Sequence, residues 1–394
     1  MATPEGGMNI WSIFRSRAPE VGEQREVPKI LKCEGNPGKP LVAIALKDPG
    51  GTNFLLPVLS ILKKRGFPMV LHTTGHTKDK VQLPDYFEPA SSVEGIEPGI
   101  VIRTYADTKH GASRALPSDL EKKWRSATFV DIEDYPAGPG RTIQREGGRA
   151  PDWLCVINDS AKETRVKHRR SGVDPRPENI KVTGSPVFDQ YAGVNHESRK
   201  REAREKLGVT NEFVVLFSGQ NPPATPIALE QTVRALNALR TDKKLILVFS
   251  RHPRDKSDES LAKYTKALGS FRKDGRVILQ SDSGLSTEEA GYAANLLVST
   301  HSTEALKSMH KGVATLHIGL HKKIRDTKDY QEFDQPPFPV QAGASFWIEN
   351  GDDTKRAKRV LSEAINNDAV RQRIVERGRE AIKINKEDPD GKSA

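Results

Sequence analysis

The groups able to do chemistry in this 394-residue chain fall into a few short polar clusters. Two adjacent carboxylates, Glu133-Asp134, follow the β-rich run Ala127–Ile132 and precede a Gly/Pro-rich loop, Ala137–Gly148. A carboxylate at a strand end beside such a loop is placed for general-base work, although a helix cap with a solvated neighbour explains the pair equally well. Arg251-His252-Pro253-Arg254 sets two guanidiniums around an imidazole. Arg251 and Arg254 suit a phosphate through paired N–H donors, and His252 is either a stabiliser of leaving-group charge or a strand-end histidine bonded to backbone. Thr300-His301-Ser302-Thr303-Glu304 is a hydroxyl-rich loop opening a helix, where backbone N–H groups meet an anion. Gly50 and Gly51, in Asp48-Pro49-Gly50-Gly51-Thr52-Asn53, let backbone approach a ligand, and Thr52 or Asn53 can cap the next helix; a tight turn without a ligand is the alternative. Gly219-Gln220-Asn221 and Asp282-Ser283 are further strand-end loops, the second explained by the capping box Ser286/Glu289 beside it. Cys33 and Cys155 have no metal-ligand spacing and give no disulfide framework, so no metal and no cofactor is expected, and a reducing cytoplasm is the expected compartment.

The elements that carry these clusters repeat one pattern. Leu41–Leu46 is a continuous apolar run of the kind a central parallel strand needs. A helix bearing Leu55, Leu56, Leu59, Ile61 and Leu62 follows up to Gly66, with Pro57 predicting an irregular first turn, and Pro68–Thr73 is the next strand: a βαβ unit. Strands near Ile100–Thr104, over Ala127–Ile132 and over Asp152–Ile157 extend it. Ile180–Asp189 reads as a domain crossing. Beyond it the architecture recurs: strand Phe213–Ser218, a helix from Thr225-Pro226 as N-cap and first position, strand Leu245–Ser250, then strands Val277–Gln280, Leu296–Ser299 and Val313–Ile318. Two charged helices, about Thr354–Asn366 and Ala369–Ile384, close the chain. The predicted organisation is a mobile arm over 1–38, with an apolar island Ile10–Phe14, a first Rossmann-like domain over 39–190, a second over 191–350, and helices and tail over 351–394. In such α/β folds ligands collect at the carboxyl ends of strands, where every flagged cluster lies, so the two sheets are expected to face each other across a cleft.

Bulk properties narrow the partners. Lys and Arg number 62 against 52 Asp and Glu, a formal charge of +10 that favours anionic partners or gives a merely basic, soluble surface. Aromatic residues make up 6% and do not interleave with basic ones, which argues against nucleic acid. No apolar run reaches the roughly 18 residues of a membrane span. The basic run Arg165–Arg170 is compatible with peripheral contact with an anionic membrane, and solvated charge explains it as well.

DPGGTN after the first strand, KVTGSPVFD at the crossing, SRHPRD and STHSTEALKSMHKGV occur in an order that resembles the GT-B superfamily over about residues 40–385. That superfamily includes nucleotide-sugar glycosyltransferases and hydrolysing UDP-N-acetylglucosamine 2-epimerases, so the resemblance implies two facing Rossmann-like domains, a nucleotide-sugar partner and a glycan or lipid-linked acceptor. Three short motifs look similar to bacterial sialyl-, polysialyl- and capsule-polymer transferases: an acidic pair at Glu133-Asp134, His252-Pro253, and hydroxyls at Ser302-Thr303. By that resemblance Asp134 or Glu133 is the general base of an inverting glycosyltransferase, and His252, with Ser302 and Thr303, holds the donor phosphate. Gly219, Gln220, Arg251 and Arg254 complete the donor side. Glu304, at the start of the helix after the last donor loop, is placed to bind ribose hydroxyls, and Gly50, Gly51, Thr52 and Asn53 form an acceptor or phosphate loop. Tyr135 stands where the acidic motif has glycine. The epimerases' His-Arg-x-Glu-Asn run is replaced by Gly219-Gln220-Asn221-Pro222-Pro223. Epimerisation and non-catalytic binding are the rival expectations. Base, sugar, acceptor and oligomeric state stay open.

Overall fold

The computed structural model describes residues 29–46, 49–73, 82–108, 111–114, 116–133, 149–167, 169, 174–220, 224–252, 255, 257–319 and 336–381. Among the described residues nine strands lie in the first half: β1 (Lys29–Cys33), β2 (Val42–Leu46), β3 (Met69–Thr73), β4 (Glu88–Ala90), β5 (Ile100–Thr108), β6 (Gly111–Arg114), β7 (Thr128–Ile132), β8 (Trp153–Val156) and β9 (Ile180–Val182). They form one sheet in the order β4-β1-β3-β2-β5-β7-β8-β9, with β6 paired to β5. Along that order the pairings from β3 to β9 are parallel, while β1 runs antiparallel to β3 and β4 and β6 antiparallel to β5. Every residue of β2 is buried, because both faces of the sheet are covered. Phe54, Leu55 and Leu59 of the helix Pro49–Lys64 pack on Val42, Ile44 and Leu46. Ala43 and Ala45 point the other way, toward Leu120 and Trp124.

The second half holds β10 (Phe213–Ser218), β11 (Leu245–Ser250), β12 (Arg276–Leu279), β13 (Leu296–Ser299), β14 (Ala314–Ile318) and β15 (Phe346–Ile348). All pairings are parallel, in the order β12-β11-β10-β13-β14-β15. The period-2 alternation of a strand sorts the core into two layers. Phe213, Val215 and Phe217 face Leu229, Val233 and Leu236 of the helix Ala224–Asn237, together with Leu361 and Ile365 of the helix Thr354–Asn366. Val214 and Leu216 face Ala203, Ala290 and Ala305 on the opposite side.

Four sequence expectations are corrected. Lys29–Cys33, assigned to the arm, is strand β1, its Leu31 and Cys33 alternating into the core while Lys29 and Lys32 stay out. Residues 1–28, including the island Ile10–Phe14, lie outside the described residues, as do 382–394. The glycine turn is the first turn of the helix Pro49–Lys64, a helix that runs through Pro57, and Gly51 is there because a Cβ would lie 2.6 Å from Thr104 Oγ1. Thr225 lies inside a helix that begins at Ala224. The helix Thr354–Asn366 is part of the second half's core, not an appendage to it.

The halves meet along a seam of buried Ile157, Phe188 and Tyr191 against Leu306, Met309, Phe338 and Ala344. The chain crosses at Gly184, whose φ of 73° falls in the left-handed region that favours glycine. It returns in the last helix, Asp368–Ala381, where Asn158 Nδ2 donates to Ala381 O at 3.4 Å.

Candidate functional site

The second sheet has the order 3-2-1-4-5-6 when its strands are numbered in sequence, so the connections from β10 and β13 leave in opposite directions and open a crevice at their carboxyl ends. Strand β10 ends in Ser218 and continues into Gly219, whose N–H donates to Ser250 O at 2.9 Å. A Cβ on Gly219 would come within 2.9 Å of Ser250 O and 3.1 Å of His252 N, so only glycine allows the β10 and β11 loops to touch. Gln220 is fixed next: its N–H donates to Thr225 Oγ1, that hydroxyl donates back to Gln220 O, and its side chain crosses the crevice, Nε2 donating to His301 O at 2.6 Å. Below it, Ser218 Oγ and Ser302 Oγ are hydrogen-bonded at 3.1 Å.

Ser302 caps the helix Thr303–His310, its Oγ accepting from Glu304 N at 3.2 Å. Thr303 is exposed at the first helical position, and Ala305 N donates to Ser302 O at 3.0 Å, so the helix opens directly after β13. Beside it, Arg251 is braced by Ser257 O at 3.1 Å and by Asp255, whose other oxygen accepts from Tyr264 OH. Burial, reinforced by that carboxylate, pushes the Tyr264 phenol well up, so it stays a donor. Arg251 Nε is buried and finds no acceptor among the described residues. His252 follows, its carbonyl accepting from Asp255 N at 2.9 Å. Gly219, Gln220, Arg251, His252, Ser302, Thr303 and Glu304 are thus gathered around one sheet end. Arg254 lies outside the described residues.

Glu304 is committed differently from its expected open presentation. It is buried, and its Oε1 is ion-paired with the equally buried Lys311. In the first half, Glu133 is buried at the end of β7, its Oε1 accepting from Arg165 Nη2 at 2.6 Å and Nε at 3.1 Å. One member of the basic run is therefore an internal partner and not a wet face. Asp134 lies outside the described residues. Thr52 is buried and Asn53 exposed on the first turn of their helix, in the same turn as Gly50 and Gly51. Among the described residues no group of three or more His, Cys, Asp or Glu side chains is arranged to hold a metal ion, and no helix is long and apolar enough to cross a membrane.

Sequence reading missed the partners that fix the site: Ser218, Thr225, Asp255, Lys311 and Arg165. Their signal is weak because each acts through space. Thr225 carried a local sign, as a hydroxyl beside a proline at a helix start, and Arg165 one as part of a basic run, though neither names its partner.

No protein-family model matches the sequence, and no curated protein matches it. Solved structures do. The S. aureus MnaA–UDP co-structure superposes with a TM-score of 0.59 at 13% identity, over 88% of this chain and 93% of that one. The Methanocaldococcus jannaschii UDP-GlcNAc 2-epimerase in complex with UDP-GlcNAc and UDP gives 0.54 at 15% identity, over 85% and 98%. Anabaena Alr3699/HepE in complex with UDP and glucose gives 0.52 at 12% identity, over 88% and 96%. The fold is GT-B. In GT-B terms the β10/β13 crevice belongs to the carboxyl-terminal Rossmann-like half, and the Pro49 helix start to the amino-terminal one.

Proposed function

We propose that this GT-B chain is an inverting glycosyltransferase that moves a sugar from a nucleotide sugar to a hydroxyl of a glycan or lipid-linked acceptor. The supporting observation is the crevice at the β10/β13 switch point, bridged by Gln220 to His301 O at 2.6 Å and flanked by Arg251, His252 and the capped helix start at Ser302. Such an arrangement suits a diphosphate: the start of the Thr303–His310 helix and the part-exposed guanidinium of Arg251, braced by Asp255 and Ser257, are held in place as donors. Uridine diphosphate is the nucleotide to test first, because the structures of similar fold named above hold it.

In this reading the acceptor hydroxyl attacks the anomeric carbon as its proton passes to a carboxylate, and the bond from that carbon to the phosphate oxygen breaks. Glu133 is paired with Arg165, and in this reading the base is assigned to Asp134. Negative charge then grows on the departing nucleotide, where Arg251, His252, Ser302 and Thr303 would stabilise it. Arg254 and the first-half helix start at Gly50–Asn53 are assigned to the donor and acceptor sides respectively. Glu304 is assigned to the ribose. His252→Ala is expected to lower turnover at least about 100-fold, the effect of removing one oriented donor, with melting temperature unchanged. Turnover within a few-fold of wild type would refute the role.

A second reading, sugar-nucleotide 2-epimerisation, is favoured by the overlay on an epimerase at a TM-score of 0.54. Incubating the protein with UDP-GlcNAc and no acceptor separates the two: release of an epimerised free sugar supports epimerisation, and turnover only on adding an acceptor supports transfer.

A further inference from the structure

The helix that opens on the crevice is tied at its far end to the seam. Lys311, its C-cap, is fully buried at the side chain and aims Nζ back along the helix to Glu304 Oε1. The same ammonium donates to Glu288 O at 2.8 Å and lies 5.1 Å from the ring of Tyr292 and 5.7 Å from that of Tyr191. Tyr191 reaches it from the domain crossing and donates its own hydroxyl to Glu288 Oε1 at 2.8 Å, while Lys307 Nζ holds Glu288 Oε2 at 2.6 Å. Glu288 therefore has both oxygens in use. Glu304 does not: among the described residues nothing donates to its Oε2.

Burying a lysine this completely costs several kcal/mol unless the charge is paired and hydrogen-bonded, and an apolar residue of similar length would cap the helix without that cost. Burial pushes the Lys311 ammonium down, and the Glu304 carboxylate works against the shift. The pair makes structural sense if the position of the carboxylate matters. Held by one oxygen, in the first turn of the crevice helix, Glu304 keeps an acceptor-only oxygen whose natural partners are hydroxyl donors.

We propose that Lys311 is a positioning residue of the nucleotide site: it fixes Glu304 by Oε1 so that Oε2 takes the hydroxyls of the nucleotide's ribose, and Tyr191 seats Lys311 from across the seam. The proposal rests on the nucleotide-sugar reading above. It goes beyond it in making recognition of the sugar ring depend on a lysine that never touches the ligand.

The test is titration calorimetry of the full chain with UDP and with 2′,3′-dideoxy-UDP. Lys311→Met is expected to weaken UDP binding about tenfold, equal to about 1.4 kcal/mol, and to leave the dideoxy nucleotide within about twofold of its wild-type affinity. Lys311→Arg should recover most of the loss, because it restores a cation to Glu304. Equal loss for both nucleotides, or no loss for UDP, overturns the assignment while leaving the nucleotide site intact. Failure of the wild type to bind UDP overturns the site reading and the assignment together. Should Lys311→Met not fold, Lys311→Gln carries the same comparison: selective loss of UDP supports the proposal, and equal loss of both ligands overturns it.

Discussion

His310 shows what single residues here respond to. It is buried at the seam, stacked near-parallel on Tyr191 at 5.9 Å and packed against Phe188 at 4.9 Å. Burial, with Arg379 and His196 adding, pushes its pKa down from 6.5 to about 4. The sign follows from proton counts. Below pH 6.5 the unfolded chain binds a proton that the folded chain refuses until about pH 4, so the stabilisation is full above the unfolded value and is lost as pH falls through the folded one. The melting temperature is expected to drop across that window, and His310→Phe, which keeps the ring stack, should flatten the drop; an unchanged slope would refute this. Residue-scale legibility was uneven. Arg251, His252 and Ser302 announce themselves by type and by position at strand ends. The pairing of Glu133 with Arg165 and of Glu304 with Lys311 does not, because a sequence gives charges without saying which are buried opposite one another.

At the scale of elements, continuous apolar runs were the readable part. Phe213–Ser218, Leu245–Ser250 and Leu296–Ser299 form strands with those bounds, and the Ser286–Glu289 capping box closes in full. What failed to show were short or edge strands: Glu88–Ala90 contains a proline and no buried residue, and Lys29–Cys33 sits among charges and prolines. Gly51 has a packing reason that its sequence does not show. Glycine there serves a close helix–strand approach, with Thr104 Oγ1 2.6 Å and Thr104 Cβ 3.0 Å from a Cβ placed on Gly51. Replacing glycine by alanine inside a helix normally stabilises by about 1 kcal/mol. Here Gly51→Ala should destabilise by about 1–3 kcal/mol through overpacking, and adding Thr104→Ala should recover at least half of that. Denaturant titration of the two single variants and the double one reads the coupling, and additive losses would contradict it.

For the whole molecule, the sequence suggested two α/β halves but not how they are sewn together. Met309 makes the seam visible: it is buried there, and its Cγ would lie 2.8 Å from a Cβ on Gly378 of the returning helix. Met309→Ala should cost about 2–5 kcal/mol and, by loosening the seam, split a single calorimetric transition into two; one unshifted transition would show that the halves do not support each other there. The contiguity of the sheets has a temporal consequence as well. All strands of the first sheet are synthesised by Val182, whereas the second core needs β15 and the helix Thr354–Asn366, and the return contact needs Ala381. At about 5–20 residues per second the ribosome leaves an interval of the order of ten seconds or more. Until Leu306 and Met309 have been made, Ile157, Phe188 and Tyr191 lack their seam partners. The nascent chain thus carries a sticky apolar face before its own mate exists, and that face is where chaperone engagement during synthesis, or misassembly without it, would begin.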